Sequence, residues 1–377
     1  MKKSVVIASV LFIALGSLPA LAQESDTKND PTLTPWNDPD DPYVIRLRKS
    51  DDSLNYWNKR NPRKDPNRKP GPYDPQRYNG GYPFTGFPTF FRMPIAMTSE
   101  DLKAGDIDVA IVGSTTDMNV VHGTSWAANM LRGHPMASST YYVAKGDGKQ
   151  TRERDIMPVD QYVRSSLHEL NIVDFGNIMR HPYSGEKSTE EIRKVLGEIF
   201  DGGAMPMMVG GAHDNMLGLF LAVADKYGKG NFGIIHFDSH ADTIMDGYGF
   251  YVHNANGIAM GEHLGLYKGE DIVQVGLTSV GPDDSLLKWA KDRKVRYYMQ
   301  AEIEKDGWET VMRRILADVK DIENLVITCD IDIMAQAFVP GTGGREPDGP
   351  APKEMMKMMR ALAIQNNVVA VEICEYN

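Results

Sequence analysis

Cysteine is almost absent from this chain: Cys329 and Cys374 are the only two in 377 residues. A cysteine-rich zinc module is therefore excluded, and one disulfide is the ceiling. Both lie in apolar runs and read as buried free thiols, although a protein exported to an oxidising compartment would also be able to pair them. Positive charge is in deficit, with Lys+Arg 41 against Asp+Glu 51 and a formal net charge of -10. Basic residues gather only briefly, between Arg60 and Lys69, so the electrostatic footprint of a nucleic-acid binder is missing. Beyond the N-terminus no apolar run is long enough for a membrane helix, and there is no internal repeat. With 42% hydrophobic and 24% charged residues, a collagen repeat and disorder throughout are also excluded.

What is present begins with a basic pair, Lys2-Lys3, an apolar stretch from Val5 to Leu15, and Ala20-Leu21-Ala22 before Gln23. This is the pattern of a secretory signal peptide over residues 1–22, and it predicts a secreted or periplasmic protein. Residues 23–95 hold 12 of the 22 prolines and show neither strand nor helix periodicity, so they read as an irregular arm. The arm's many aromatics, among them Tyr73, Phe87, Phe90 and Phe91, predict that parts of it pack on the main domain or on a neighbouring subunit.

From residue 96 to 377, short apolar runs alternate with amphipathic stretches. IDVAIV, NIVDF, MPMMV, FGIIHF, DIVQV, VRYYM, LVITCD and VVAVEI are eight strand candidates, apolar on both faces as buried parallel strands are. Ser188 to Glu191 reads as a capping box opening a helix. Asp214 to Tyr227, Gly307 to Val319 and Pro352 to Gln365 read as three more. The alternation predicts a three-layer α/β/α sandwich around a mostly parallel eight-stranded sheet, with ligands gathering beyond the carboxyl ends of its strands.

Three polar clusters sit at such ends. Gly210-Gly211-Ala212-His213-Asp214 follows MPMMV, Asp238-Ser239-His240-Ala241-Asp242 follows FGIIHF, and LVITC leads into Asp330-Ile331-Asp332. Each alone reads more readily as a capped turn with solvated acids. Together, in a chain with only nine histidines, they would repel one another at one sheet edge unless cations neutralise them. Divalent ions with carboxylate and imidazole ligands meet that need, and bridging carboxylates would allow a pair of ions. Residues 238, 240 and 242 would point the same way if the chain stays extended there.

At these motifs the chain resembles the ureohydrolases: arginase, agmatinase, guanidinobutyrase and the more distant formimidoylglutamase. GGAHD stands for the family's GGDHS, HFDSHAD for HxDAHxD, and DIDIMAQAFVPGTGGREPDG for DIDxxDPxxAPGTGTPEPGG, with weaker echoes in TFFRMP, VDFGN and VVAVEI. The resemblance implies an arginase-like fold and two divalent metal ions, Mn2+ by default, with Ni2+ or Co2+ suited to the same donors. It places His213, Asp238, Asp242 and Asp330 on one ion and Asp238, His240, Asp330 and Asp332 on the other, with Asp238 and Asp330 bridging. Gapless matching puts Glu354 on the acid that holds the substrate guanidinium, and His253 falls where the family has a proton shuttle, with Asp242 as relay. The implied reaction hydrolyses a guanidino compound to urea and an amine, in a trimer or hexamer.

The chain also departs from the family. Ala335 and Gln336 replace the Asp-Pro that follows the paired acids, which removes a turn. Ala212 and Asp214 flank His213, where Asp214 is placed to accept from its imidazole. The loop between His240 and His253 resembles that of agmatinases and offers Asp246, Tyr248 and Tyr251 to the tail of a small or amine-bearing guanidine. Two other readings stay open: a formimino-group hydrolase, whose carboxylated substrate would call for Arg or Lys in that loop, where there is none, and a secreted metal- or polyamine-binding protein that has lost turnover.

Overall fold

In the computed structural model, the described residues are 67–76, 86–117, 123–133, 143–144, 150–151, 170–245, 249–278 and 284–377. The predicted signal peptide and the first part of the arm lie outside them, as do Asp246 and Tyr248. All eight strand candidates form strands: β1 (Val109–Gly113), β2 (Ile172–Asn177), β3 (Met205–Val209), β4 (Gly233–Phe237), β5 (Ile272–Leu277), β6 (Arg296–Met299), β7 (Leu325–Asp330) and β8 (Val368–Cys374). They make one sheet in the order β2-β1-β3-β8-β7-β4-β5-β6, and every neighbouring pair is parallel. Every residue of β1, β4, β5, β7 and β8 is buried, as continuous apolar runs on a doubly covered sheet require. The last strand in sequence therefore lies between β3 and β7, in the middle of the sheet.

The helices fall into two packed groups that give the sheet its outer layers. One comprises α3 (Gly185–Asp201), α4 (Met216–Tyr227) and α5 (Gly257–His263); the other comprises α7 (Gln300–Asp306), α8 (Trp308–Val319) and α9 (Pro352–Gln365). The short α1 (Ser99–Ala104), α2 (Ala127–Gly133) and α6 (Ser285–Asp292) complete the set among the described residues. Gly228, at φ 89°, stops α4, and a proline opens α9, both as the sequence predicts.

The start of α3 differs from expectation. The cap is Ser184, whose backbone is extended and whose hydroxyl accepts from Lys187 N at 3.1 Å. Ser188 sits one turn inside and donates to Ser184 O at 3.0 Å. Two serines four residues apart each offer a cap, and the helix begins at the earlier one because its first turn can still form there.

The later part of the arm belongs to the packed body. Tyr73 pairs with Ile95, Ile95 bridges to Asp174 on β2, and Arg68 contacts the Asp101 carboxylate at 2.6 Å. Phe90, Phe91 and Met93 are buried in the same core as the sheet. Arg132 lies 3.9 Å over the Phe90 ring and binds both oxygens of Asp174. Cys329 and Cys374 are buried free thiols on adjacent strands. Among the described residues no helix is long and apolar enough to cross a membrane.

Candidate metal centre

The three polar clusters meet at the carboxyl edge of β3, β7 and β4, together with the end of β8. After β3 the chain turns through Gly210 and Gly211, both at positive φ. A Cβ on Gly211 would lie 2.6 Å from Thr116 Oγ1 and 2.7 Å from Ser114 Oγ, so only glycine fits this turn. The Asn215 side chain fastens it, accepting from the Ser114 and Thr116 hydroxyls and donating to Gly210 O. His213 opens the single 3-10 turn that leads into α4.

After β4 the chain does not stay extended. His240 N donates to Asp238 Oδ1 at 2.6 Å, and Asp242 takes φ 50°, so the segment curls and its three side chains converge by turning. The loop after β7 is laced to it: Ser239 N donates to Asp332 Oδ1 and Ser239 Oγ to Asp332 O, while Asp332 N donates to Asp330 Oδ1.

The six expected ligands form two linked groups. His213 Nδ1 lies 2.9 Å from Asp238 Oδ2, 3.0 Å from Asp242 Oδ2 and 3.8 Å from Asp330 Oδ2. His240 Nδ1 lies 3.0 Å from Asp332 Oδ2 and 3.4 Å from Asp238 Oδ1. Asp238 thus gives one oxygen to each group, which is the arrangement of a bridging carboxylate.

This arrangement suits a cation. His213 Nε2 is 2.8 Å from Thr328 Oγ1, and that hydroxyl donates to Glu372 Oε2 at 2.8 Å. The hydroxyl has one proton and spends it on Glu372, so the ring nitrogen carries its own, leaving Nδ1 to face the acids. His213 Nδ1 and Asp238 Oδ2 are buried without a hydrogen bond of proper geometry despite their 2.9 Å approach. Donor atoms converging on a common point, without bonding to one another, are placed for a shared positive charge.

The pKa shifts express the same demand. Burial, then Asp238, pushes Asp332 up to about 7; burial, Asp332 and Asp238 push Asp330 well above the carboxylate range. Burial also raises Glu375 to about 8 and Glu372 to about 7. His240 is pushed up to about 12 by its contacts with Asp238 and Asp332. For His213 burial opposes the charge, but Cys374, Asp238 and Asp242 outweigh it and lift the ring well above its usual value. These upward shifts describe a cluster that must take up either protons or a metal, while Asp238, with burial opposing, is held well below its usual range by His236, His213 and His240.

Other expectations fare differently. His253 is buried next to the cavity, its Nδ1 accepting from Ala255 N at 3.2 Å, with Asn254 and Ala255 on the cavity wall. Glu354 is set apart from the centre. It stands in the first turn of α9 and lines a different cavity, of about 400 Å³, with Trp308, Glu309 and Lys357. The acids that do reach the centre, beyond the six, are Glu372 and Glu375 on and just after β8. Glu375 Oε1 accepts from His213 N at 2.7 Å. An acid inside the otherwise apolar VVAVEI was the signal for Glu372, since a buried carboxylate in a central strand needs a reason; Glu375, just past the strand, carried none. His236 and Thr328, also at the centre, carried no separate signal. Thr328, not Asp214, holds the His213 imidazole; Asp214 is buried, and that burial raises its pKa to about 8. The turn expected to be lost with Ala335 persists, closed by Phe338 N donating to Ala335 O.

An all-parallel α/β sheet with paired imidazole–carboxylate groups at its carboxyl edge defines the class of molecule. The Arginase family model matches residues 108–377, and the chain belongs to the arginase family. It is 24% identical over 282 residues to a guanidinobutyrase of Pseudomonas aeruginosa, covering 74% of this chain and 81% of that protein. The fold is shared with proclavaminate amidino hydrolase of Streptomyces clavuligerus at TM-score 0.62 and 20% identity, over 78% of this chain and 90% of that one. It is shared too with formimidoylglutamase of Bacillus subtilis subsp. subtilis str. 168, at TM-score 0.64 and 20% identity, over 77% and 84%.

Proposed function

We propose that the protein hydrolyses a C–N bond of a guanidino compound, releasing urea and an amine, at a pair of divalent cations held by His213, Asp238, His240, Asp242, Asp330 and Asp332. The observation that carries this reading is Asp238, whose two oxygens serve two separate ligand groups. When bound there, the cations, Mn2+ by the family resemblance, would lower the pKa of water so that hydroxide is available near neutrality. The chain's own residues do the rest. Glu375, which lines the cavity, supplies the acid that faces a guanidinium and fixes its carbon against the centre, while Glu372 holds Thr328 behind the His213 ring. Asp242 is placed to accept a proton, and His253 to pass one to the departing amine.

The cavity over the centre, about 330 Å³, is acidic on one side and neutral on the other, where Ile244, Asn254, Ala255 and Leu286 line it. No Arg or Lys lines it among the described residues. A tail carboxylate would find no partner, which favours a small or amine-bearing guanidine over a formimino amino acid. Leu286→Arg is expected to raise kcat/KM for guanidinobutyrate relative to agmatine by about tenfold; an unchanged ratio in competition assays would remove this wall from the specificity argument.

The direct test is product release by the full chain loaded with Mn2+ or Ni2+, offered agmatine, guanidinobutyrate, arginine, guanidine and N-formimino-glutamate. Urea from a guanidine supports the proposal, and formamide from the last would establish the formimino reading instead. No product from any of them, with two metal ions bound per chain, overturns the hydrolase reading for these substrates. For the substrate acid, Glu375→Gln is expected to lower kcat/KM by roughly 10²- to 10³-fold, while Glu354→Gln changes it less than about threefold. A larger loss at Glu354 would reverse the assignment.

A further inference from the structure

His236 lies on β4 two residues before Asp238, so both side chains leave the same face of the strand. Its ring is buried and stacks on that of His213, centroids 5.1 Å apart at 27°. Nε2 is 3.1 Å from Asp238 Oδ2, the oxygen that also approaches His213. By distance alone His236 belongs to the same ligand set as His213, Asp238 and Asp242.

The other side of the ring decides otherwise. Gln274, its register partner on β5, brings its amide nitrogen to 2.6 Å from Ala241 O and 3.1 Å from His236 Nδ1. A carbonyl only accepts, so the amide must present its nitrogen to Ala241, and its second proton then points at Nδ1. Nδ1 accepts, and the ring proton of the neutral imidazole sits on Nε2, the nitrogen that faces Asp238. An N–H cannot coordinate a cation. On the other ring, Thr328 leaves Nδ1 of His213 open to the centre.

We infer that Gln274 is a positioning residue that keeps His236 out of the ligand set by fixing its tautomer, so that two stacked imidazoles take opposite roles, His213 as ligand and His236 as an N–H packed on the bridging carboxylate. The inference rests on the proposed metal centre. It involves no change of net charge, only the choice of which nitrogen carries the proton. Removing the Gln274 amide releases that choice and lets Nε2 become a third nitrogen donor.

The test uses the full chain titrated with cobalt(II), whose absorption spectrum reports the ligands. His236→Phe is expected to bind two cobalt ions per chain with the spectrum of the unaltered protein. Gln274→Met is expected to change the spectrum and lower kcat by about 10- to 100-fold, with KM held within about threefold. The double variant His236→Phe with Gln274→Met is expected to restore the original spectrum, since the added donor is then gone. Should the Phe variant not fold, His236→Gln serves in its place. A spectrum altered by loss of His236 alone, or left unchanged by Gln274→Met, overturns the inference. No cobalt bound by the unaltered protein would instead overturn the metal centre on which it rests.

Discussion

Asp238→Asn is expected to reduce kcat/KM by at least about 10³-fold, near 4 kcal/mol of transition-state stabilisation, and to lower the bound metal from two ions per chain to one or none. The argument is geometric. Asp238 Oδ2 serves the His213 group and Oδ1 the His240 group, so an amide at this position removes a charge from both sites at once and puts an N–H where one oxygen lone pair is needed. The shape of the side chain is kept, and an unchanged circular dichroism spectrum would separate loss of metal from loss of fold. Activity within tenfold of the parent at saturating Mn2+ would show that Asp238 does not bridge.

The metal-free protein is expected to lose stability as pH rises from 5 to 8.5, the reverse of an ordinary salt-bridged protein. Asp330, Asp332, Glu372 and Glu375 all have folded-state pKa values above their usual ones. The folded chain therefore holds protons that the unfolded chain has already released. That contribution is fully present below the ordinary carboxylate range and is lost as pH climbs through about 7 and 8. His240, raised to about 12, acts in the same direction: its stabilisation is complete below the ordinary histidine value and fades above it. Asp238, held well below the usual range with burial opposing and His236 and His213 favouring its charge, is ionised throughout the window and contributes no slope. Counting the buried acids and discounting the partly exposed His240 for solvent screening, the sum is on the order of a few kcal/mol, which corresponds to a fall of at least about 5 °C in Tm. With Mn2+ in excess the slope should reverse, because deprotonated acids bind the cation that replaces their protons. A metal-free Tm that rises across this range would mean that the acids are already neutralised by other means.

Much of this architecture was legible in the sequence. Eight apolar runs became eight strands because strands buried on both faces need no alternation to be recognised, and the three motifs supplied all six candidate ligands. What could not be read was the order of strands in space. Because β8 inserts between β3 and β7, the sequence-terminal Glu372 and Glu375 arrive at the centre, whereas Glu354, nearer to the PGTGG segment in sequence, is carried away on a helix. Local competition hid the rest. Ser184 and Ser188 offer equivalent caps, and the Asx-type bond from His240 N to Asp238 curls a segment that strand alternation would keep straight. The Thr328 hydroxyl outbids Asp214 for an imidazole 115 residues away in sequence, which no motif spacing reveals.

The short stretch from Pro94 to Ala96 has a consequence for how the molecule behaves in a crowded compartment. β2 is the outermost strand on its side of the sheet, and an outermost strand exposes a row of amides and carbonyls that can recruit a strand from another molecule. Here Asp174 N donates to Pro94 O and Ala96 N to Asp174 O, so the chain's own N-terminal segment occupies the middle of that row, and Pro94 has no amide to offer a newcomer. A protein that lost the segment, by cleavage or by truncation before residue 96, would expose that row as a template for strand addition. The same loss would take Phe90, Phe91 and Met93 out of the core, so self-association and unfolding would rise together.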